Sequence, residues 1–189
     1  MELSEQELVR RQSLQTMRDL GINPYPADEY VVTGYSTDVK AQFVDEPLPE
    51  GSEKITGEWH SGEPIRIAGR LMSRRIMGKA SFIEIQDSKG RIQVYVSRDD
   101  IQAPTPEGEQ PTTVEQQMYN IVFKKLLDIG DFIGIEGFVF RTQMGEISVH
   151  AKQLTGLAKS LKPLPIVKYK DGVAYDGFHD PEQRYRQRY

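Results

Sequence analysis

Apolar and polar residues alternate with a period of two along five stretches of the chain, which predicts half-buried β-strands. The clearest stretch is SFIEIQDSKGRIQVYVS, residues 81–97, where DSKG separates two alternating runs and predicts a hairpin turn. The inner positions of this hairpin are Ile83, Ile85, Ile92, Val94 and Val96. The outer positions are Phe82, Glu84, Gln86, Arg91, Gln93 and Tyr95. The predicted hairpin therefore displays aromatic rings, amides and a guanidinium on one face.

Three further stretches complete the predicted sheet. Residues 65–74, IRIAGRLMSR, alternate so that Ser73 faces inward and Arg74 outward, which predicts a first strand with a basic outer face. Residues 131–142 and 146–154, joined by QMG, predict the last two strands. On the final strand, parity places three polar side chains opposite Ile147 and Val149. These are Glu146, Ser148 and His150.

Helical spacing occurs in two places. Residues 4–20 have apolar positions near a helical period, with Ser4 and Glu7 as a capping box and Gly21 as a stop. Residues 118–130, MYNIVFKKLLDIG, show the same spacing between the third and fourth predicted strands. By contrast, residues 34–63 are rich in acids, Gly and Pro, which predicts irregular chain.

The predicted order of elements indicates a mainly β fold, a five-stranded OB-fold barrel with one helix between strands three and four and a helix in front. Alternation alone also permits another small barrel or a sandwich, but the position of the helix favours the OB-fold. We expect three parts: an N-terminal helix with an irregular extension at 1–63, an OB-fold domain at 64–156, and a linker at 157–189.

Charge is sorted along the chain, although the net charge is only -4. Residues 65–98 hold eight basic and two acidic side chains, and residues 99–118 hold five acids and no base. A basic segment of this kind is either a solvated face or a patch that binds phosphates. The Pro- and Glu-rich stretch within 101–118 predicts a mobile loop.

Composition also predicts the setting of the protein. The chain has no Cys, and its three His residues are scattered, so no metal site, disulfide or cofactor is expected. The charged N-terminus and the absence of a long apolar run predict a cytoplasmic protein without a membrane segment.

No catalytic motif is recognisable. RRIMGKAS contains Gly78-Lys79, but a phosphate loop requires Gly where Ser73 stands and Ser or Thr where Ala80 stands. The outer face of the hairpin is more informative, because stacking rings beside amide and guanidinium groups are typical of proteins that bind single-stranded RNA. The alternative is structural: Phe82 could cover a barrel end or pack under a loop.

Three stretches resemble the anticodon-binding domain of class II lysyl-tRNA synthetases. They are residues 65–100, residues 123–165 and RYRQRY at 184–189, and residues 10–26 are similar to the leading helix of that family. The motifs RRIMGKASF and GEISVH are specific for the lysine enzymes. The aspartyl and asparaginyl relatives share the barrel and the pattern of Phe and Gln, but not these two motifs. Residues 101–118 resemble an insertion relative to shorter members.

The resemblance implies an OB-fold that binds the anticodon loop of tRNA within a longer enzyme. In such an enzyme a separate C-terminal domain joins lysine to ATP, with Mg²⁺, and then to tRNA, and the full-length protein is a homodimer. None of the class II motifs can be assigned here, so we expect this chain alone to be inactive and to need no cofactor.

Individual residues can be matched to the family pattern. By resemblance, Phe82 corresponds to the ring that stacks on the central anticodon uridine, Gln93 and Arg75 to the side chains at its edge, and Glu146 to a residue near a neighbouring base. The candidate phosphate contacts are Arg66, Arg70, Arg74 and Lys79.

Three alternatives to a lysine-specific tRNA reader stay open on the sequence alone. One is the anticodon domain of an aspartyl- or asparaginyl-type synthetase. Another is a standalone OB protein that binds single strands with little base preference, for which several stacking aromatics along the groove are expected. The third is an interaction module of a larger assembly, for which a large exposed apolar patch is expected.

Overall fold

The computed structural model describes residues 3–44, 61–102, 118–163, 168–170, 173–175 and 185. The helices within these ranges are α1 (Glu5–Asp19), α2 (Ser36–Gln42) and a π-helix (Tyr119–Leu126). The strands are β1 (Ser61–Met77), β2 (Ala80–Gln86), β3 (Arg91–Ser97), β4 (Phe132–Arg141), β5 (Ile147–Ala158), β6 (Lys168–Lys170) and β7 (Val173–Tyr175).

Five strands form a closed barrel in the order β1-β2-β3-β5-β4. All neighbouring pairs are antiparallel except β3 and β5, which run parallel, and β4 returns to pair with β1. The π-helix lies in the chain between β3 and β4. The predicted fold class, a mainly β OB-fold with a preceding helix, is confirmed.

The hairpin of β2 and β3 has the predicted register, with Glu84 opposite Gln93. Its predicted inner residues are at most 1% exposed and belong to one hydrophobic core with Ile67, Leu71 and Phe123. Burial of these aliphatic side chains removes apolar surface from water at about 25 cal/mol per Å², which stabilises the closed barrel.

A bulge in β1 makes the predicted parity wrong beyond Leu71. The register shifts between Leu71 and Ser73, so that Ser73 pairs with Glu84 and is exposed, whereas the alternation had placed it inside. Because one extra residue reverses every later side chain, Arg74 points away from the outer face. Arg74 donates to the carbonyls of Phe123 and Leu127, at 2.6 and 2.9 Å.

These carbonyls are available because they lie at the C-terminal end of the helix, where carbonyls have no partner within the helix. The helix itself is of the π type. The amide of Phe123 bonds to the carbonyl of Met118, and that of Leu127 to the carbonyl of Val122, five residues back in each case. The helix was predicted from its apolar spacing, but its wider hydrogen-bond pattern was not, since such segments depend on local packing.

Helix α1 was predicted correctly, including the capping box of Ser4 and Glu7 and the stop at Gly21, which has a φ of 76°. The face that it buries includes Leu14 and Met17 but is only partly apolar. Leu8 is 54% exposed, whereas Arg10 is 8% exposed and donates to the carbonyls of Ile129 and Ser160. Tertiary partners for the guanidinium therefore orient this helix as much as its apolar residues do.

One prediction of irregular chain is corrected. Residues 36–42, within the stretch predicted as irregular, form α2, and Val39 inserts into the core at 8% exposure. Residues 168–170 and 173–175, within the predicted linker, pair as a small antiparallel sheet. Residues 103–117 of the predicted acidic loop lie outside the described residues.

Helix α2 begins on a carboxylate from the hairpin turn. Asp87 accepts from the Ser36 amide at 2.6 Å and hydroxyl at 2.8 Å, and from the amides of Lys89 and Gly90. Burial raises the pKa of Asp87, but these four hydrogen bonds outweigh it, so the pKa lies below its ordinary value of 3.8. One side chain thus shapes the turn and anchors the helix.

Replacing Asp87 with Ala should lower the free energy of unfolding by roughly 1–3 kcal/mol, because four donors lose a charged acceptor. Since the folded-state pKa is lowered, this stabilisation is complete at neutral pH and is lost as the pH falls through that value, below 3.8. Urea titrations at several pH values should show the difference between the proteins shrinking there. As a matched control, Asp38→Ala removes an exposed ion pair with Lys89 and one acidic side chain in the first turn of α2, and should cost clearly less than Asp87→Ala. An Asp87→Ala effect equal to that of the control would contradict the anchoring role.

Candidate nucleic-acid interface

The bulge in β1 places Arg75 on the outer face of the barrel. Beyond the bulge Arg75 pairs in register with Phe82 of β2, and both side chains point away from the core. Arg75 is exposed and Phe82 is half-buried, so the guanidinium and the ring stand side by side at a surface. An unbulged strand would have turned Arg75 inward.

Phe82 is part of an aromatic cluster. Its ring lies 5.3 Å from that of Tyr95, its direct cross-strand partner on β3. Tyr95 packs edge-on to His150, with 5.1 Å between the ring centres. His150 is fully buried and contacts the carboxylate of Asp100 at 3.1 Å. Buried His150, on the neighbouring strand β5, therefore packs beside Tyr95 and restrains its ring.

The outer side of the hairpin also carries hydrogen-bonding groups at defined positions. Gln93 is half-buried directly across from Glu84, and Glu84 forms an ion pair with Arg91 at 3.2 Å. Because Gln93 has both donor and acceptor groups, it can bond to either polarity on a ligand.

The hairpin that joins β4 and β5 forms the opposite wall. Glu146 lies in the β4–β5 turn immediately before β5, where its amide donates to the Thr142 hydroxyl at 3.1 Å. Its carboxylate accepts from Lys40 of α2 at 3.0 Å. Met144 at the tip of the hairpin is 93% exposed.

These walls enclose an open groove with a volume of about 1200 Å³. This exceeds the roughly 300–1,000 Å³ of a typical small-ligand pocket, which suits an extended ligand such as several nucleotides. Four basic side chains and two carboxylates line it. They are Lys40, Arg74, Arg75, Arg91, Glu84 and Glu146.

All four predicted base-contacting residues line this one groove: Arg75, Phe82, Gln93 and Glu146. They come from β1, β2, β3 and the β4–β5 turn, and only the closed barrel brings them together. Strand parity predicted that Ser148 and His150 share the outer side of the barrel with Glu146. They do lie opposite Gln93 and Tyr95, but both are fully buried.

The candidate phosphate contacts are not brought together. Arg66 pairs with Glu136 at 3.5 Å and Arg70 lies 4.3 Å from the ring centre of Phe132, both away from the groove. Arg74 reaches the groove but donates to the end of the π-helix. Whether these residues bind phosphate stays a prediction.

Lys79, the fourth candidate, is exposed at the β1–β2 turn and lies 3.5 Å from Asp99. A hydrogen bond from Arg98, and to a smaller extent the charge of Lys79, hold the pKa of Asp99 below its ordinary value. The carboxylate is thus ionised at neutral pH and competes with any phosphate for Lys79.

The groove-lining residues that sequence reasoning did not include among the site residues include Tyr95, Lys40 and Met144. Tyr95 could have been included, because it shares the parity of Gln93. Lys40 could not, since α2 was not predicted and the partner of Lys40 is 106 residues away. Met144 carries no local signal beyond its place in a turn.

Metal centres and membrane spans are two other features that would define a function. Within the described ranges, no three His, Asp or Glu side chains are grouped so as to hold a metal ion. No helix in the described part of the chain combines the length and apolar character needed to cross a membrane.

Comparison with known proteins finds relatives of this chain and a family that resembles its barrel. Over 189 residues, all of this chain, it is 56% identical to a lysine–tRNA ligase of Porphyromonas gingivalis and 51% identical to one of Christiangramia forsetii, and covers 29% of each. It is 54% identical over 187 residues to a lysine–tRNA ligase of Azobacteroides pseudotrichonymphae, of which it covers 33%. The chain thus spans about a third or less of these relatives. Residues 65–157 match the tRNA anticodon family, described as an OB-fold nucleic acid binding domain. Residues 65–157, which hold most of the barrel and most of the groove-lining residues, are therefore similar to the OB-fold nucleic acid binding domains of the tRNA anticodon family.

Proposed function

We propose that this chain is the anticodon-recognition part of a lysine–tRNA ligase, and that its groove holds unstacked bases of the tRNA anticodon loop. The observation that carries the proposal is the convergence of Arg75, Phe82, Gln93 and Glu146 on one groove. Single-stranded RNA is read in this way, by stacking on aromatic rings and hydrogen bonding to exposed base edges.

Each wall of the groove would have a separate task. Phe82, backed by Tyr95, would stack on a base, and Gln93 and Arg75 would bond to the edge of that base. Glu146 can only accept hydrogen bonds when ionised, so it would contact an amino or ring N–H group on a neighbouring base.

We also propose the reaction that a longer protein containing this chain would catalyse. The relatives are named as lysine–tRNA ligases, which supports attachment of lysine to tRNA with ATP and Mg²⁺. Class II chemistry, a homodimer and a cytoplasmic location are proposed for that longer protein. No residue of the groove is proposed to bind ATP or Mg²⁺.

Salt dependence of RNA binding tests this proposal. Four basic side chains line the groove, so binding to a lysine anticodon stem-loop should release about 2–4 counterions. With a slope of about -0.7 per charge, affinity should fall roughly 5- to 50-fold between about 50 and 200 mM salt. Fluorescence anisotropy of a labelled stem-loop measures this directly.

A blunt-ended, fully paired RNA duplex of equal phosphate count is the matched control. It offers the same charge but no unstacked loop bases, so it should bind more weakly at every salt concentration. Equal affinity for both RNAs would mean that the groove detects charge alone, and the proposed function would then be wrong.

A further inference from the structure

We infer that Lys40, on α2, is a positioning residue for Glu146 and belongs to the RNA-binding site. This inference rests on the proposed function. Lys40 lies outside residues 65–157, which match the anticodon family, yet it lines the same groove as the four predicted reading residues.

Helix α2 is attached to the β2–β3 hairpin, which forms one wall of the groove. Ser36, its first residue, donates twice to Asp87 in the β2–β3 turn, and Asp38 pairs with Lys89 of the same turn at 2.6 Å. Val39, buried among core residues, holds the middle of the helix against the barrel. These contacts constrain the first turn and one face of the helix. The barrel therefore determines the direction in which the side chain of the next residue, Lys40, extends.

Lys40 extends from this helix to the β4–β5 hairpin, which forms the opposite wall of the groove. Its ammonium nitrogen lies 3.0 Å from Oε1 of Glu146, and the two side chains are 35% and 50% exposed. The Glu146 amide is held by Thr142, so backbone and carboxylate are both restrained. The contact leaves Oε2 of Glu146 available for a donor on a base.

The charge of Lys40 has a second effect. A carboxylate inside a groove that receives RNA repels the phosphates, and a lysine at 3.0 Å offsets this repulsion while leaving the acceptor in place. Removing Lys40 should therefore harm RNA binding more when Glu146 is charged than when it is neutral. An exposed ion pair contributes little to folding, so stability should hardly change.

A double-mutant cycle tests the inference. The affinities of four proteins for the anticodon stem-loop are compared at low salt: wild type, Lys40→Met, Glu146→Gln and the double variant. Met keeps most of the aliphatic stem and removes the charge. We expect Lys40→Met to weaken binding about 3- to 10-fold in the wild-type background and at most about twofold in the Glu146→Gln background.

Lys125→Met is the control for loss of one positive charge, because Lys125 is exposed on the π-helix and does not line the groove. It should change affinity less than about twofold. Urea midpoints of all variants should agree, which excludes unfolding as the cause.

Two results would overturn the inference about Lys40 but leave the proposed function intact. One is a wild-type protein that binds the stem-loop in a salt-dependent manner while Lys40→Met has no more effect than Lys125→Met. The other is an equal loss from Lys40→Met in both backgrounds, which would make Lys40 an independent charge. A wild-type protein that does not prefer the stem-loop over the paired duplex would overturn the proposed function as well.

Discussion

Replacing Phe82 with Ala should weaken binding to an anticodon stem-loop by roughly 5- to 150-fold, which corresponds to about 1 to 3 kcal/mol of lost base stacking. Every base has a face that can stack, so the loss should be about equal for loops with uridine or cytidine at the centre. Because the Tyr95 ring remains close to the site, 5.3 Å from the Phe82 ring, some stacking could shift to it and the loss would lie nearer the lower bound. Anisotropy titrations with both loops measure the effect.

Phe132→Ala is the matched control, since Phe132 is also a partly exposed aromatic residue of the barrel but packs under Arg70 away from the groove. It should leave RNA affinity unchanged. If Phe82→Ala binds RNA as tightly as the control does, Phe82 has the structural role that the sequence also allowed.

The same titrations separate stacking from base reading. A guanidinium only donates hydrogen bonds, so Arg75 beside a uracil oxygen is satisfied, whereas beside the cytosine amino group it faces another donor. Arg75→Ala should therefore narrow the preference for uridine over cytidine, and Gln93→Ala should do so too. A preference that survives Arg75→Ala intact would mean that the base is read elsewhere.

The second large effect concerns stability. Replacing Lys159 with Met should lower the free energy of unfolding by about 3 to 5 kcal/mol, because it leaves a buried carboxylate without its cation. Lys159 is 5% exposed and contacts Asp131, which is 1% exposed, at 2.8 Å, together with Asp128 and the Leu126 carbonyl at 2.8 Å. This network joins the end of β5 to the loop after the π-helix.

Urea unfolding of purified variants measures the loss. Lys79→Met removes an ion pair at the surface, with Asp99, and should cost about 0–1 kcal/mol. If Lys159→Met does not fold, the Lys159→Met, Asp131→Asn double variant should recover part of the stability, because the buried charge is then gone. A single variant within about 1 kcal/mol of wild type, or a double variant less stable than the single one, would contradict the assigned role of the pair.

Much of the groove could be predicted because one of its walls, the β2–β3 hairpin, is formed by residues that are close together in the sequence. The hairpin of residues 81–97 encodes its own turn and both of its faces, so its alternation alone places Phe82 and Gln93 on one side. Arg75 was included by resemblance, whereas simple alternation would have assigned it to the core. The bulge that corrects this depends on pairing with β2, which no local pattern in β1 encodes.

The sequence by itself determined the number and order of the barrel strands, the capped helix α1 and the outer face of the hairpin, because alternation, caps and turn residues act within a few positions of each other. Only the tertiary structure decided which polar groups are buried and which charges meet. Arg10, Arg74 and Lys159 satisfy carbonyls far away in the chain, and Lys40 meets Glu146 across 106 residues. Such contacts depend on the closing of the barrel, which brings together residues whose local sequence carries no record of one another.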